Sequence, residues 1–211
     1  SLLLVSFSLL LVKPNFFQHL LFFALRARVA LVDADRQGTC KNWSDDRKGN
    51  KKLKSVDTFS VYGEKIQDKL KELRKEYDVV VVDVAGHDSK EMRSSLLVSD
   101  LAIIPVMCSQ PDLDTMPKME KIVKDAKKIN KNLKTFLLLS RTPTNPRIKE
   151  VRDAIEFLAD FDLKLLKSKI AERKVFRDAI SEGISVFEVK NKKNKGAFEM
   201  KKFIKEVENG I

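Results

Sequence analysis

The sequence predicts an α/β fold, a mostly parallel twisted sheet with helices on both faces, and three observations carry that prediction. Tyr77 to Gly86, YDVVVVDVAG, holds four consecutive valines without a polar interruption, the pattern of a strand buried on both faces. Short apolar runs of this kind recur along the chain and alternate with segments whose apolar residues fall at helical spacing, as right-handed βαβ crossovers require. With 211 residues, 43% of them hydrophobic, the chain can bury the core of one such domain. Residues 1–211 are therefore read as a single unit, without an internal repeat or a domain boundary.

The first stretch is the unusual one. Ser1 to Leu25 is almost wholly apolar and is interrupted at Lys13 and Pro14. It lacks the positive start and small-residue cleavage site of a signal peptide, and each apolar run is shorter than the ~20 residues of a membrane-spanning helix. Leu2 to Phe7 is read as a buried strand followed by an apolar helix, with a membrane hairpin as the minor alternative. Val29 to Val32 forms a second strand, ending in Asp33-Ala34-Asp35. Residues 36–60 are polar and contain the basic run Arg47 to Lys54, which predicts an irregular exposed segment. Ile66, Leu70, Leu73 and Tyr77 recur at helical spacing among charges, so Tyr62 to Glu76 is expected to be an amphipathic helix. Leu101 to Val106 is the next strand. Met116, Met119, Ile122, Val123, Ala126 and Ile129 form one helical stripe, better explained by core packing than by a functional methionine surface. Phe136 to Leu139 is a strand ending at Ser140-Arg141, and Ile148, Val151, Ile155 and Leu158 mark a helix. Lys164 to Leu166 reads as a short edge strand, Lys174 to Ser181 as a short helix and Ala197 to Val207 as a closing helix.

Forty-one Lys and Arg against 30 Asp and Glu give a net charge of +11, which favours polyanionic partners such as nucleic acid or an anionic membrane surface. Cys40 and Cys108 are too few and too far apart for a disulfide framework or a zinc site, and a reducing, cytoplasmic compartment is expected. Asp83 stands at the C-terminal end of the valine strand, the edge at which open α/β sheets bind ligands. Two readings of it are open: it holds the magnesium of a bound nucleotide, or it caps the next loop. Asp33 and Asp35 carry the same ambiguity, since an Asp turn after a strand needs no ligand.

Five segments in order, VALVDADRQG (Val29 to Gly38) with Asn42-Trp43, YDVVVVDVAG, SDLAIIPVMCSQPDL (Ser99 to Leu113), FLLLSR (Phe136 to Arg141) and AERKVFRDAISEGISVFE (Ala171 to Glu188), resemble the blocks of the ParA family of partition ATPases. The resemblance covers residues 28–207, is strongest to small members without an N-terminal DNA-binding domain, and is more specific than any one motif. It implies a P-loop NTPase-like sheet of the ParA/MinD type. It also implies an ATPase of plasmid or chromosome partitioning that binds ATP and Mg2+, forms a homodimer around nucleotide, binds DNA non-specifically and answers to a centromere-binding ParB-type partner. Such a protein is cytoplasmic and nucleoid-associated, without stable membrane insertion. Residue by residue, the family's Asp-x-Asp-Pro-Gln motif falls on Asp33, Asp35 and Gln37, with Arg36 at the proline. The resemblance puts Asp35 beside the attacking water and Asp33 in the magnesium surroundings, as candidate catalytic residues. Asp83 takes the Walker B position, the candidate metal carboxylate. Arg141 takes the position of an Asn-Arg pair near the adenine, with Ser140 where Asn or Thr is usual. Arg173, Lys174 and Arg177 lie where relatives contact DNA, although on composition alone they make an ordinary solvated basic face.

The N-terminus departs from the pattern. Members open with a Lys-Gly-Gly-x-Gly-Lys-Thr-Thr loop whose backbone N–H groups and lysines cradle phosphates at a helix N-terminus. Residues 1–28 contain no glycine, so the backbone cannot approach a triphosphate in that way. Lys13, the candidate phosphate-binding lysine, precedes Pro14, which offers neither an N–H nor a hydroxyl. Residues 1–27 therefore stand as an atypical apolar N-terminus in place of the P-loop. Val-Gly-Lys-Thr encoded GTT GGT AAA ACC and read one nucleotide late gives Leu-Val-Lys-Pro, the sequence Leu11 to Pro14, which makes a frame-shifted loop one origin of the segment; the match stops at Leu10. ATP hydrolysis is thus implied by family and opposed by this segment. The alternative is a catalytically inactive remnant acting only as a DNA- or partner-binding module, or a decayed gene product; without nucleotide it would stay monomeric. A membrane-recruited division-site ATPase of the same superfamily is disfavoured by the mixed charge of Ala197 to Asn209.

Overall fold

The computed structural model describes residues 2–8, 28–145, 147–191 and 193–210, with side chains from residue 28 onward. Seven strands form one sheet: β1 (Leu2–Ser8), β2 (Val29–Ala34), β3 (Asp57–Ser60), β4 (Val79–Ala85), β5 (Leu101–Val106), β6 (Lys134–Thr142) and β7 (Lys164–Ala171). Their order is β3-β2-β4-β1-β5-β6-β7, and every pairing is parallel. The sequence predicts a mostly parallel sheet, and the observed pairings are all parallel; the valine strand β4 lies inside the sheet between β2 and β1. Among the described residues no helix is long and apolar enough to cross a membrane.

The helices are α1 (Thr39–Gly49), α2 (Ile66–Glu76, entered through one 3-10 turn at Gly63–Lys65), α3 (Lys90–Leu96), α4 (Gln110–Leu113), α5 (Met116–Ile129), α6 (Lys149–Leu158), α7 (Lys174–Ser181) and α8 (Lys195–Gly210). The connection β2-α1-β3 runs toward one edge of the sheet and β3-α2-β4 runs back, so right-handed crossovers place α1 and α2 on opposite faces. The core shows that division. Val80, Val82 and Val84 of β4 face a large cluster with Leu70 of α2, Met92 of α3, Val123 of α5 and Ala154 of α6. On the other face Leu31 and Val81 meet Cys40 and Trp43 of α1, while Phe136 and Leu138 of β6 meet Phe176 and the α8 residues Met200, Phe203, Ile204 and Val207. Each fully buried Val or Leu contributes roughly 1.5–3 kcal/mol, and the alternation along β4 divides that contribution between both faces.

Several boundaries differ from the sequence prediction. Residues 36–60 are not irregular: they hold α1 and β3. Arg47, the first residue of the supposed exposed basic run, is only 4% exposed, and Trp43 is buried beside it. α1 has few apolar residues, and it packs through an arginine, which no hydrophobic period can reveal. The expected short strand at Lys164 continues to Ala171 as the edge strand β7, and β6 extends to Thr142. Ile129 leaves the α5 stripe, 72% exposed at the helix end. α3 starts where the Ser89 hydroxyl accepts the Met92 N–H at 3.1 Å, a serine cap of the usual kind.

Candidate functional site

Asp33 on β2 and Asp83 on β4 are direct register partners on adjacent strands, near the C-terminal ends of both. Both are buried. The Asp33 carboxylate accepts the backbone N–H of Lys41 at 2.8 Å and of Asp35 at 3.2 Å, so the first turn of α1 is fastened to it. Between them the chain reverses: Asp35 Oδ1 accepts the Gln37 N–H at 3.0 Å, the Asp35 carbonyl accepts the Gly38 N–H at 2.9 Å, and Gly38 takes φ 65°, a left-handed conformation that glycine adopts without a Cβ clash. Asp35 itself is half-buried at the mouth of this turn. Burial pushes the Asp33 carboxyl above its ordinary range, an effect only partly offset by the N–H groups of Lys41, Asp35 and Cys40. The Cys40 thiol donates to Asp83 Oδ2 at 3.1 Å; burial first, and then the Asp83 charge, hold this thiol well above its usual pKa, so it remains a donor. Burial disfavours the charged form of Asp33, a cost that a bound hard cation would relieve. The described residues contain no set of three His, Cys, Asp or Glu that could hold a metal alone; a cation here would complete its shell with water or phosphate oxygens, as Mg2+ commonly does.

The second group lies across β1 and β5, at the β6 and β7 end. Arg141 near the end of β6 has φ 50°, an uncommon left-handed backbone for a non-glycine residue. Its Nε donates to Glu172, and Glu172 also accepts Arg177 Nη1 at 2.6 Å. Ser140 is buried with no hydrogen-bond partner for its hydroxyl among the described residues. Arg173 is held by Glu199 of α8 through Nη2 at 2.6 Å and Nε at 3.0 Å, and is mostly covered. Lys174 and Arg177 extend into solvent, their side chains 81% and 62% exposed. The structure thus joins Asp33, Asp35 and Asp83 in one place and Arg141, Arg173 and Arg177 in another, each arginine already bonded to a glutamate. Lys13 lies outside the described residues.

Three features escape a reading of the sequence. Cys40 gives no motif; only the fold brings it to Asp83. A cleft of about 360 Å³ opens between the start of α7 and the start of α8, with Lys174, Lys193, Lys195, Asn191 and Asn194 on its walls; the lysine-rich stretch before α8 was the available signal. Arg47 near the end of α1 forms a bidentate pair with Glu188, 2.8 Å on each side, and donates to the carbonyls of Gly183 at 3.2 Å and Lys54 at 2.7 Å. Gly183 has φ 65°, and a Cβ there would lie 2.5 Å from the Arg47 backbone nitrogen. α1 therefore bridges the acidic edge and the segment leading to the basic cleft.

A family model described as an AAA domain matches residues 50–135. The chain is 30% identical over 184 residues to the maintenance of carboxysome distribution protein A of Halothiobacillus neapolitanus (strain ATCC 23641 / c2), spanning 86% of this chain and 83% of that protein. Among solved structures, apo McdA of Cyanothece superposes with a TM-score of 0.75 at 16% identity, covering 96% of this chain and 99% of that one. A putative plasmid partition protein of Borrelia burgdorferi B31, bound to AMPPNP, gives 0.68 at 16% identity over 97% and 99%. MinD of Aquifex aeolicus gives 0.67 at 15% identity over 97% of each chain. At these identities the structures show a shared fold.

Proposed function

Because this chain belongs to the ParA family of P-loop NTPases, we propose that it is a nucleotide-dependent positioning ATPase, which binds ATP with Mg2+, dimerises, and distributes a cargo by binding DNA without sequence preference. The observation that carries this reading is the buried, register-matched pair Asp33 and Asp83, with Asp35 at the mouth of the turn above it. Hard carboxylate oxygens suit magnesium, and the residues fit it: Asp83 and Asp33 would hold the ion directly or through water. Bound there, Mg2+ neutralises charge on the phosphates. Asp35 accepts the proton-bearing side of a water held near its free oxygen and so positions it, which is most of what phosphoryl transfer to water asks of a protein. Arg141, freed from Glu172, is the residue for the base end of the nucleotide. The relative from Halothiobacillus is named for carboxysome distribution and that from Borrelia for plasmid partition, so the cargo is a large assembly delivered by an adaptor of the ParB kind. Lys174, Lys193 and Lys195 around the cleft supply the DNA contacts, with Arg177 beside them.

A second reading, a nucleotide-independent DNA- or adaptor-binding module, is favoured by the lack of glycine in residues 1–28. Titration of a fluorescent ATP analogue with Mg2+, with Asp83→Ala as control, separates the two. Micromolar binding that disappears in Asp83→Ala is the expected result; no binding up to millimolar nucleotide leaves the second reading.

A further inference from the structure

The charge of α8 looks balanced in sequence, with Lys195, Lys201, Lys202 and Lys205 against Glu199, Glu206 and Glu208. Its three-dimensional arrangement is not balanced. Glu199 turns inward to Arg173 and also accepts the Ala171 N–H at 3.2 Å. Glu206 turns inward as well, accepting the N–H groups of Lys167 and Ser168 at 2.7 Å each. The four lysines stay outside, and only Glu208 opposes them. Among them stands Phe198, 58% exposed, the most exposed aromatic side chain among the described residues. Lys195, Phe198, Lys202 and Lys205 fall three, four and three residues apart, which aligns them on one stripe of the helix. Lys202 Nζ sits 4.6 Å from the centre of the Phe198 ring.

We propose that this outer face of α8 binds unpaired nucleic acid, with Phe198 stacking on an exposed base while the lysines on either side hold the neighbouring phosphates. Alternation of a cation, an aromatic ring and further cations along one line is the arrangement that single strands reward, because every base offers a π-face and every linkage a charge. A duplex cannot use the ring in this way, since its bases are stacked on one another. Lys195 belongs both to this stripe and to the wall of the cleft, so a strand leaving the cleft passes over Phe198 one turn later. An anionic bilayer is a poorer occupant: the apolar side of α8, Met200, Phe203, Ile204 and Val207, is already in the core, and one ring does not give the buried face that interfacial helices need. The proposal rests on the polyanion reading of the cleft but uses a different residue.

The test is fluorescence anisotropy at low salt on the full chain, with labelled oligo(dT) and with a duplex of equal length, for wild type, Phe198→Ala, Phe198→Tyr and the triple variant Lys174→Ala, Lys193→Ala, Lys195→Ala. Phe198→Ala is expected to weaken oligo(dT) binding about tenfold while duplex affinity stays within about twofold, and Phe198→Tyr to restore it, in line with the stacking contribution of one base. The triple variant is expected to lose duplex binding. Equal loss on both probes in Phe198→Ala, or no loss on either, overturns the α8 proposal while leaving the cleft reading in place. Duplex binding unaffected by the triple variant overturns the cleft reading; the α8 proposal then stands if Phe198→Ala still loses oligo(dT) selectively and falls if it does not. Sedimentation with phosphatidylglycerol vesicles, abolished in Phe198→Ala without an effect on oligo(dT), assigns the face to lipid and overturns the proposal.

Discussion

The two charged ends of this sheet are assembled in opposite ways. At β2 and β4 the charges are inside: Asp33 and Asp83 are buried and placed by strand register, and Asp33 is fastened by main-chain N–H groups. At β6 and β7 the charges are nearer the surface and placed by one another, in the chain Arg141, Glu172, Arg177 and in the pair Arg173 with Glu199. A side chain fixed by register has its neighbours decided by the backbone ladder. One fixed by an ion pair depends on which partner the tertiary fold brings near. The first kind of site carries the cost of burial; the second depends on its ion pairs, and its cations are exposed where the paired carboxylate leaves them uncovered.

The largest effect is expected where α1 connects the two ends. Arg47 is buried, and Glu188 is its only carboxylate partner among the described ion pairs. Removing one member of a buried pair strands the other charge, at a cost of about 3–5 kcal/mol. Glu188→Ala should therefore lower the urea midpoint strongly, with Glu188→Gln intermediate because the amide oxygen still accepts from the guanidinium. A loss below about 1 kcal/mol for Glu188→Ala in equilibrium unfolding would mean that α1 is held by its apolar contacts, and the two ends would then be mechanically separate.

Asp33 gives a test of the acidic end with a definite sign. Burial raises its folded-state pKa above the ordinary carboxylate value, so the fold disfavours the charged carboxylate. The penalty is absent below the unfolded-state pKa, appears as the pH rises above it, and is complete above the folded-state pKa. Asp33→Asn removes it. In the absence of metal and nucleotide the variant should melt a few degrees above wild type at neutral pH, and the two should converge near pH ~3, as read by calorimetry across that range. If the carboxylate holds the ion as proposed, added magnesium and nucleotide should reverse the order. A variant that melts lower than wild type at neutral pH would show that the N–H groups of Lys41 and Asp35 outweigh burial.

The same contrast explains what could be read from the chain beforehand. The parallel sheet and the positions of Asp33 and Asp83 at strand ends follow from two apolar runs, Val29 to Val32 and the valines of β4, each ending in a carboxylate; that the two strands are neighbours comes from the fold. Register then does the rest. α1 was invisible because its packing residues are a Trp, a Cys and an Arg within an otherwise polar stretch, and Arg47 looks like surface until Glu188, 141 residues later, is placed beside it. The basic end shows the same limit. Arg173, Lys174 and Arg177 look equivalent in sequence, yet Glu199 covers the first and leaves the second in solvent. The lysine-rich outer face of α8 has the same cause, because only the fold decides that Glu199 and Glu206 face inward.

The smallest predicted effect follows from that cover. If Arg173 is withheld from polyanions by Glu199, then Arg173→Ala in the wild-type background should change duplex affinity by less than about twofold, as expected for a cation that releases no counterion on binding. Glu199→Gln keeps a hydrogen-bond acceptor beside the guanidinium but removes the opposing charge. It should tighten duplex binding about two- to threefold at low salt and steepen the slope of log K against log salt by about 0.9, the value for one additional phosphate contact. Combining Glu199→Gln with Arg173→Ala should cancel both changes, because the gain belongs to that one arginine. Should Arg173→Ala alone weaken binding several-fold, the pair with Glu199 must open on DNA, and the basic end would then be an ion-pair switch rather than a fixed surface of left-over cations.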